Sequence, residues 1–289
     1  MFSPNSRHQQ PATAQEEEED KHHELVVSGL SKKIGHRVLF SGVTFSVQQG
    51  QTLFIRGPSG IGKSVLLRAI ACLDIPHQGK HQSLFLDGKT PEQIGITNWR
   101  SLTSYVSQSR AGYLETPAAF YFKVQNFGAQ RGRPRGDLPQ LIHYLGLEQT
   151  VLNQKWSQLS EGQAQRVQIA IAVALCPAFL LLDEPTSSLD PESARKVERL
   201  LKSSGCGLIW VSHDVHQPSR VGGRVLDLPS GALSAIASPP LSPEPLLRKP
   251  SLPIVGLSRD LRFGLTEETE GRGEISGDSP SNLLSVKPS

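Results

Sequence analysis

A short glycine-rich segment constrains the fold of this chain more than any other feature. Residues 57–64 match the pattern G-x-x-x-x-G-K-[ST] at every fixed position, with the sequence Gly57-Pro58-Ser59-Gly60-Ile61-Gly62-Lys63-Ser64. Glycines let backbone N–H groups surround a phosphate without Cβ clashes. Lys63 brings a positive charge to the β- and γ-phosphates, and Ser64 offers a hydroxyl group to Mg²⁺. The segment predicts a loop that binds a nucleoside triphosphate; the alternative is a glycine-rich turn with an unrelated lysine.

The residues on either side of this loop fit the same interpretation. Thr52–Ile55 is a short apolar run that predicts a buried strand ending at the loop. Val65–Ala71 predicts a helix that begins at the loop and directs its N-terminus at a bound anion.

Composition narrows the class of protein. The 289 residues carry 30 Lys and Arg against 27 Asp and Glu, a net charge of +3 that is too small to indicate a nucleic-acid partner. The basic run Arg131–Arg135 is the local exception, and we interpret it as a solvated loop, with contact to phosphate or lipid as the alternative. Three cysteines, Cys72, Cys176 and Cys206, lie far apart, which favours reduced thiols over disulfides or zinc ligands.

The sequence contains no segment suited to crossing a bilayer. The nearest candidate, Ile169–Leu182, has 14 residues and contains Pro177, so it is too short and interrupted. The N-terminal region lacks an apolar signal core and includes the acidic run Glu16–Asp20. We therefore expect a soluble chain, or one that reaches a membrane only through a partner.

Apolar runs alternate with helical segments along the chain, which predicts an α/β protein with a mainly parallel sheet covered on both faces. Helices are predicted at Glu161–Leu175 and at Pro191–Leu201, the latter capped by Asp190. Arg224–Leu228 is expected to be the last strand of the body. Besides Thr52–Ile55, the other predicted strands are Leu25–Val27, Val43–Val47, Leu84–Leu86, Leu102–Ser107, Phe179–Leu182 and Leu208–Val211.

Composition also divides the chain into three parts. Residues 1–23 are polar and acidic, and we expect a disordered arm. Residues 24–236 form one nucleotide-binding domain, in which 109–158 is a helical subdomain. Residues 237–289 are rich in proline and serine and are expected to form a mainly disordered tail.

Two acidic residues follow the run Phe179–Leu182. Parallel strands present their carboxyl ends to ligands, so Asp183 and Glu184 are expected at the binding edge of the sheet. Asp183 is a candidate ligand for Mg²⁺, and Glu184 is a candidate to polarise the water that attacks the γ-phosphate. The alternative is an ordinary strand end with two solvated acids.

A second anion site is predicted about 20 residues before this strand. Leu159-Ser160-Glu161-Gly162-Gln163 opens a helix, and Ser160 is a good N-cap residue. The free N–H groups behind the cap favour an anion. A simple helix cap without a ligand is the alternative.

These motifs, taken in order and spacing, resemble those of the ATPase subunits of ABC transporters over residues 24 to about 236. The resemblance also covers Leu182-Asp183-Glu184-Pro185-Thr186 and three further positions. Gln108, in Tyr105-Val106-Ser107-Gln108, matches a glutamine that contacts Mg²⁺ and the attacking water. His213, in Val211-Ser212-His213-Asp214, matches a histidine that touches the γ-phosphate. Ser187-Ser188-Leu189-Asp190 matches a loop that crosses to a second protomer.

The resemblance implies a P-loop NTPase fold of the ABC type, with an N-terminal antiparallel β part and a helical subdomain. It implies ATP and Mg²⁺ as cofactors and a homodimer with two ATPs sandwiched head to tail. One ATP would be bound by residues 57–64. The metal would be bound by Ser64, Gln108 and Asp183. The catalytic residues would be Lys63, Gln108, Glu184 and His213. Ser160, Gly162 and Gln163 would contact the ATP held by the other protomer.

The implied function is ATP hydrolysis that powers transport through a separate, small multi-span membrane subunit. The chain would then lie at the cytoplasmic face of a membrane, held there by its partner, without nucleic acid. The finer likeness rests on Trp99-Arg100, on Gly162-Gln163-Ala164-Gln165-Arg166-Val167, on the short helical region and on Trp210-Val211-Ser212-His213-Asp214. These segments resemble those of bacterial iron-export and plant aluminium-tolerance ATPases, which suggests metal-ion or nucleotide-sugar transport. A soluble ABC ATPase scaffold, as in iron–sulfur cluster assembly, is the alternative, and a nucleotide sensor without activity is a third interpretation.

Two positions depart from the pattern of that family. Ile34 occupies the position at which an aromatic residue usually stacks on adenine. Glu161 replaces the commoner glycine beside Ser160 and adds a negative charge near the second anion site.

Overall fold

The computed structural model describes residues 22–74, 83–108 and 114–236. The predicted acidic arm lies outside the described residues apart from His22 and His23, and the predicted tail 237–289 lies wholly outside them.

Nine strands are present in the described ranges. They are β1 (Glu24–Ile34), β2 (Arg37–Gln48), β3 (Thr52–Arg56), β4 (Leu84–Leu86), β5 (Thr103–Val106), β6 (Phe179–Asp183), β7 (Gly207–Val211), β8 (Gly223–Asp227) and β9 (Ala232–Ile236).

Eight α-helices accompany these strands in the same part of the chain. They are α1 (Lys63–Ile70), α2 (Pro91–Ile94), α3 (Ile96–Leu102), α4 (Pro117–Gln125), α5 (Leu138–Tyr144), α6 (Glu161–Ala174), α7 (Pro191–Ser203) and α8 (Gln217–Val221). Short 3-10 helices lie at Gly128–Gln130, Gln149–Asn153 and Trp156–Gln158. Residues 114–158 therefore contain only short helical segments, while 109–113 of the predicted helical subdomain lie outside the description.

A six-stranded sheet forms the centre of the molecule. Its order is β5-β6-β7-β3-β8-β9, and every neighbouring pair is parallel except the last, β8 with β9. The predicted α/β class with a mainly parallel sheet is confirmed. The expectation that Arg224–Leu228 is the last strand is wrong, because β9 follows it. β9 has only five residues, two of them alanines, which are depleted in strands, and it pairs at the edge of the sheet, so its strand signal is weak.

A smaller antiparallel sheet has the order β2-β1-β4 and confirms the antiparallel part implied by the resemblance. Its two long strands extend well beyond the predicted Leu25–Val27 and Val43–Val47. The register between them shifts at Val27/Leu30 and again at Leu30/Lys32. Each irregularity interrupts the alternation of apolar and polar residues, and the sequence pattern therefore reveals only the regular part of each strand.

Both faces of the central sheet are buried. Successive side chains of a strand point to opposite faces, and β6 shows the result. Leu180 and Leu182 pack into a cluster with residues of α5, α6 and α7. Phe179 and Leu181 pack into a second cluster with α1, Trp99 and the antiparallel sheet. All four of these side chains are fully buried, as the uninterrupted apolar run predicts.

Candidate nucleotide-binding and hydrolysis site

The carboxyl ends of four parallel strands meet at one edge of the central sheet. Each strand end is followed by a segment that the sequence singles out. Gly57 follows β3, Gln108 lies two residues beyond β5, and His213 lies two residues beyond β7. β6 ends at Asp183 and is followed by Glu184. The parallel sheet therefore brings together residues that are far apart in the sequence.

The glycine-rich loop is closely enclosed by its neighbours. Gly57 has a φ of +152°, and a Cβ atom there would lie 2.7 Å from the backbone oxygen of Leu228. Gly62 has a φ of +103°, and its Cβ would lie 3.1 Å from Cβ of Leu39. Neither position accepts a side chain without displacing backbone or core atoms. The loop is therefore a cradle built from backbone, which fits a phosphate group.

Lys63 begins α1 and bends back over the loop. Its side chain is buried, and Nζ donates hydrogen bonds to the carbonyl oxygens of Gly57 at 2.9 Å and Pro58 at 3.1 Å. These contacts hold the positive charge inside the cradle. The remaining loop residues, Pro58, Ser59, Gly60, Ile61 and Ser64, are partly or fully exposed along its open side.

A further cation lies beside the loop. Arg37, at the start of β2, donates a hydrogen bond from Nη2 to the carbonyl oxygen of Gly60 at 3.2 Å. Sequence reasoning missed this residue because its position depends on how the β1–β2 hairpin folds against the loop. Ile34, at the end of β1 in the same hairpin, is 57% exposed, so an aliphatic surface stands where the family has an aromatic residue.

Glu184 lies between two of the predicted catalytic side chains. Its Oε1 is 2.7 Å from Nε2 of His213, and its Oε2 accepts a hydrogen bond from Nε2 of Gln108 at 3.0 Å. Its backbone has a φ of +49°, an uncommon conformation for a residue other than glycine. Its N–H donates to the carbonyl oxygen of Val211 at 3.0 Å. The carboxylate is thus held from two sides in a strained turn.

Asp183 is the most buried acidic residue of the site, with 3% exposure. Its Oδ2 accepts a hydrogen bond from the hydroxyl group of Tyr105 at 3.0 Å. Its Oδ1 is buried and has no hydrogen-bond partner among the described residues. Burial, and then the charge of Asp183, raise the pKa of Tyr105. Tyr105 has no role in the sequence prediction, since nothing local to it indicates contact with the neighbouring strand.

The unpaired Oδ1 fits a Mg²⁺ ion, which prefers carboxylate and hydroxyl oxygens together with the phosphates of a bound nucleotide. Asp183, the Ser64 hydroxyl group and the Gln108 amide oxygen could hold it. Within the described ranges, no group of three or more His, Cys, Asp and Glu side chains could bind a metal. A site that depends on nucleotide phosphates does not need such a group.

Ser160, Gly162 and Gln163 lie at the N-terminus of α6. Ser160 Oγ accepts from the Gln163 N–H at 3.2 Å, and the Gln163 side chain accepts from the Ser160 N–H at 2.9 Å. This capping box leaves the helix end ordered and exposed. In the part of the chain that the structure describes, no hydrogen bond or ion pair joins these three residues to the glycine-rich loop or to Glu184.

The remaining predictions concern residues away from the site. The three cysteines are free thiols, as expected, with Cys72 and Cys206 buried. The Arg131–Arg135 segment is a loop but is solvated only in part. Arg133 is half-buried and donates to Ser101 Oγ at 3.1 Å, and burial lowers its pKa. None of the described helices is long and apolar enough to span a membrane.

Comparison with known proteins assigns the family. The sequence model described as ABC transporter matches residues 40–187, a stretch that includes the glycine-rich loop, Gln108, Ser160, Asp183 and Glu184. The chain belongs to the ABC transporter family. Its central domain has the ABC ATPase fold, as the motifs predicted.

Curated relatives in this family are ATP-binding proteins of import systems. The chain is 34% identical over 221 residues to the Fe(3+) ions import ATP-binding protein FbpC 3 of Rhodococcus jostii (strain RHA1). That match covers 74% of this chain and 62% of the relative, so the chain spans less than two thirds of its length. It is 31% identical to the L-cystine import ATP-binding protein TcyC of Bacillus subtilis (strain 168), over 72% of this chain and 88% of that protein.

Solved structures agree with the fold. A dimeric structure of the ATP-binding cassette MJ0796, in a post-hydrolysis state bound to ADP and Pi, superimposes with a TM-score of 0.62 and 26% identity. The match covers 74% of this chain and 99% of the cassette.

Proposed function

We propose that this chain is the ATP-binding and ATP-hydrolysing subunit of a transporter. In this proposal two copies close around two ATP molecules and power a separately encoded transmembrane partner. The observation that carries it is the contact of Glu184 with both Gln108 and His213, at the same sheet edge as the Lys63 loop. A plain nucleotide-binding turn has no need for a partly buried carboxylate held from two sides.

ATP binding would use the backbone cradle and Lys63. In the structure the Lys63 ammonium group is bonded to two carbonyl oxygens of its own loop. The phosphates of ATP are stronger acceptors, so binding would exchange these bonds for bonds to the β- and γ-phosphates. α1 begins at the loop and directs its N-terminal N–H groups at the same anion.

Hydrolysis would depend on positioning and charge. Glu184 would polarise a water molecule in line with the γ-phosphate. Gln108 would orient the same carboxylate and water, and His213 would contact the γ-phosphate while it holds Glu184. Bound Mg²⁺ would neutralise charge on the phosphates, held by Ser64, Gln108 and Asp183.

A second protomer would complete each site. Ser160, Gly162 and Gln163 form an exposed helix end whose N–H groups favour an anion. Among the described residues they make no hydrogen bond to the glycine-rich loop of their own chain. A head-to-tail dimer would bring this helix end to the γ-phosphate of the opposite ATP. ATP then binds the closed dimer better than the open dimer and shifts the population toward it.

The transported substrate would be selected by the membrane subunit. The two curated relatives are named for import of ferric ions and of cystine, so similar ATPase chains serve different substrates. We keep metal-ion or nucleotide-sugar transport as the finer proposal, on the motifs shared with the iron-export and aluminium-tolerance group. The chain would lie at the cytoplasmic face of a membrane, peripheral through a small multi-span partner.

The test uses Glu184→Gln, which should retain ATP binding but not hydrolysis and so hold the closed dimer. Size-exclusion chromatography with light scattering should show a dimer with saturating Mg·ATP and a monomer without nucleotide. The matched control adds Lys63→Ala, which should restore the monomer. A monomeric Glu184→Gln variant under saturating Mg·ATP would contradict the sandwich.

A pull-down with tagged Glu184→Gln from detergent-solubilised native membranes tests the partner. Mass spectrometry should find a small multi-span protein among the copurifying chains. Recovery of soluble partners alone, such as cluster-assembly scaffolds, would overturn the transport function in favour of a soluble ATPase scaffold.

A further inference from the structure

Glu184 and His213 belong to a closed ring of contacts that also passes through residues of α7 and α8. In this ring, His213 Nε2 lies 2.7 Å from Glu184 Oε1. From these two residues the chain leads to Thr186 on one side and to Asp214 on the other. The loop that contains Glu184 and Thr186 thus contacts the loop that contains His213 and Asp214 directly through these two side chains. Further along the chain, the distance between the two loops depends on other residues.

Gln217, in α8, holds the Thr186 side of the ring. It is 1% exposed. Its Nε2 donates to Thr186 Oγ1 at 3.0 Å and to Glu198 Oε1 at 2.8 Å. Because a carboxylate only accepts hydrogen bonds, the amide nitrogen of Gln217 must face Glu198, which fixes the orientation of the side chain.

Arg220, one turn further along α8, holds the Asp214 side. Its Nη2 lies 2.7 Å from Glu198 Oε1 and 2.7 Å from Asp214 Oδ2. The hydrogen bond to Glu198 is the largest cause of a raised pKa for Arg220. Glu198 belongs to α7 and its side chain is 8% exposed, so a buried carboxylate on a long helix anchors both sides of the ring.

An open cleft of about 370 Å³ borders the ring, and its wall includes Glu184, Thr186, His213, Asp214 and Arg220. On this side both loops face the cleft and not packed side chains. The polar contacts through Gln217, Glu198 and Arg220 therefore carry the support that apolar packing supplies elsewhere.

We propose that Gln217, Glu198 and Arg220 are positioning residues that hold the Glu184 loop and the His213 loop at a fixed separation. The proposal rests on the proposed ATP hydrolysis. None of the three contacts the glycine-rich loop in the described structure. They act by keeping the Glu184 carboxylate and the His213 imidazole in register on rigid elements, because small displacements of reacting groups are costly in rate.

A role in stability alone does not account for this arrangement. Arg220 is 40% exposed, and ion pairs with a solvent-exposed partner contribute little to stability. The contacts reach Asp214, which follows His213, and Thr186, which is the second residue after Glu184. These contacts therefore support the loop that follows Glu184 and the loop that follows His213.

The experiment exchanges the amide and the carboxylate. Gln217→Glu places two carboxylates together, and Glu198→Gln places two amides together, while the double variant restores one of each with the same net charge. Each single variant should lower kcat for ATP by about 10- to 100-fold, with KM changed less than about twofold. The double variant should recover at least about tenfold of that loss, because the two sites are in contact.

The matched control is Glu192→Gln, the same chemical change on α7 at a side chain that is 79% exposed. It should leave kcat and KM unchanged. Single variants with kcat within about twofold of the parent would overturn the proposal. It would also be overturned if activity falls only in proportion to the unfolded fraction, measured by thermal unfolding.

Amide hydrogen exchange tests the positioning role without any measurement of ATP turnover. The N–H groups of Ser187 and Leu189 in one loop, and of Asp214 and His216 in the other, are hydrogen-bonded. Gln217→Glu should increase exchange in both loops, and the double variant should reverse it. Unchanged exchange would overturn the positioning role, whereas an inactive parent chain that still shows these exchange effects would overturn only ATP hydrolysis.

Discussion

Tyr105 donates a hydrogen bond from its hydroxyl group to Oδ2 of Asp183 at 3.0 Å, across the neighbouring strands β5 and β6. Tyr105 pairs in register with Leu181, so its ring reaches forward along the sheet to the end of β6. The bond orients a buried carboxylate whose other oxygen has no partner among the described residues. Asp183 is therefore held ready for a cation by a side chain that is not one of the predicted site residues.

We expect Tyr105→Phe to destabilise the chain and to weaken its use of Mg²⁺. Removal of the hydroxyl group leaves Oδ2 of the buried Asp183 carboxylate without the donor that Tyr105 supplies, which should cost about 2 kcal/mol of unfolding free energy. Urea unfolding measures this loss. The Mg²⁺ concentration for half-maximal ATP hydrolysis should rise by about tenfold, because an outer partner of a metal ligand is lost.

Tyr144→Phe is the control, since Tyr144 is also half-buried but makes no hydrogen bond through its hydroxyl group within the described ranges. It should change neither quantity. Equal effects in the two variants would show that Tyr105 acts through packing alone.

Lys63→Ala should abolish ATP turnover. The substitution removes the one charge that the structure holds inside the glycine-rich cradle, and loss of such a group costs about 100-fold or more in kcat. Steady-state hydrolysis measures the loss. Lys33→Ala, at an exposed position in β1, should retain full activity. Normal turnover in Lys63→Ala would remove the assignment of the loop.

Gly57→Ala should destabilise the loop by about 2 kcal/mol, because the backbone has a φ of +152° and the new Cβ would lie 2.7 Å from the Leu228 oxygen. Thermal unfolding and binding of a fluorescent ATP analogue should both show the loss. Gly128→Ala is the matched control, with open space around its Cβ, and should change stability by less than about 0.5 kcal/mol. A stable Gly57→Ala variant with normal binding would show that the cradle tolerates a side chain.

The buried thiol of Cys206 should make the free energy of unfolding depend on pH. Burial raises the pKa of its thiol from the ordinary value of 9.0 to about 11. Between these values the unfolded chain loses the proton and the folded chain keeps it, so stability falls as pH rises from about 9 to about 11. Cys206→Ala should make this fall shallower in urea unfolding.

Val197→Ala controls for the loss of buried volume, because Val197 is fully buried and does not titrate. It should lower stability equally at both ends of the pH range. A Cys206→Ala variant with the same slope as the parent would show that the thiol does not contribute to the pH dependence.

Much of the central sheet could be predicted because its signals are local. Phe179–Leu182 is an uninterrupted apolar run, and only a strand buried on both faces uses such a run. The glycine-rich loop combines a special backbone with fixed residue types, so its pattern is visible without tertiary information. By contrast, β9 was missed because a five-residue edge strand with two alanines carries a weak strand signal.

The sequence by itself determined the mainly parallel fold and the glycine-rich loop, since each depends on residues that are neighbours along the chain. It also singled out the candidate site residues. Only the tertiary structure revealed the partners that hold these residues. Tyr105 and Asp183 are 78 residues apart, and Gln217 and Glu198 are 19 apart. Polar residues such as these resemble ordinary surface positions in sequence. Their contacts arise only when the packed sheet and helices place them side by side and exclude water.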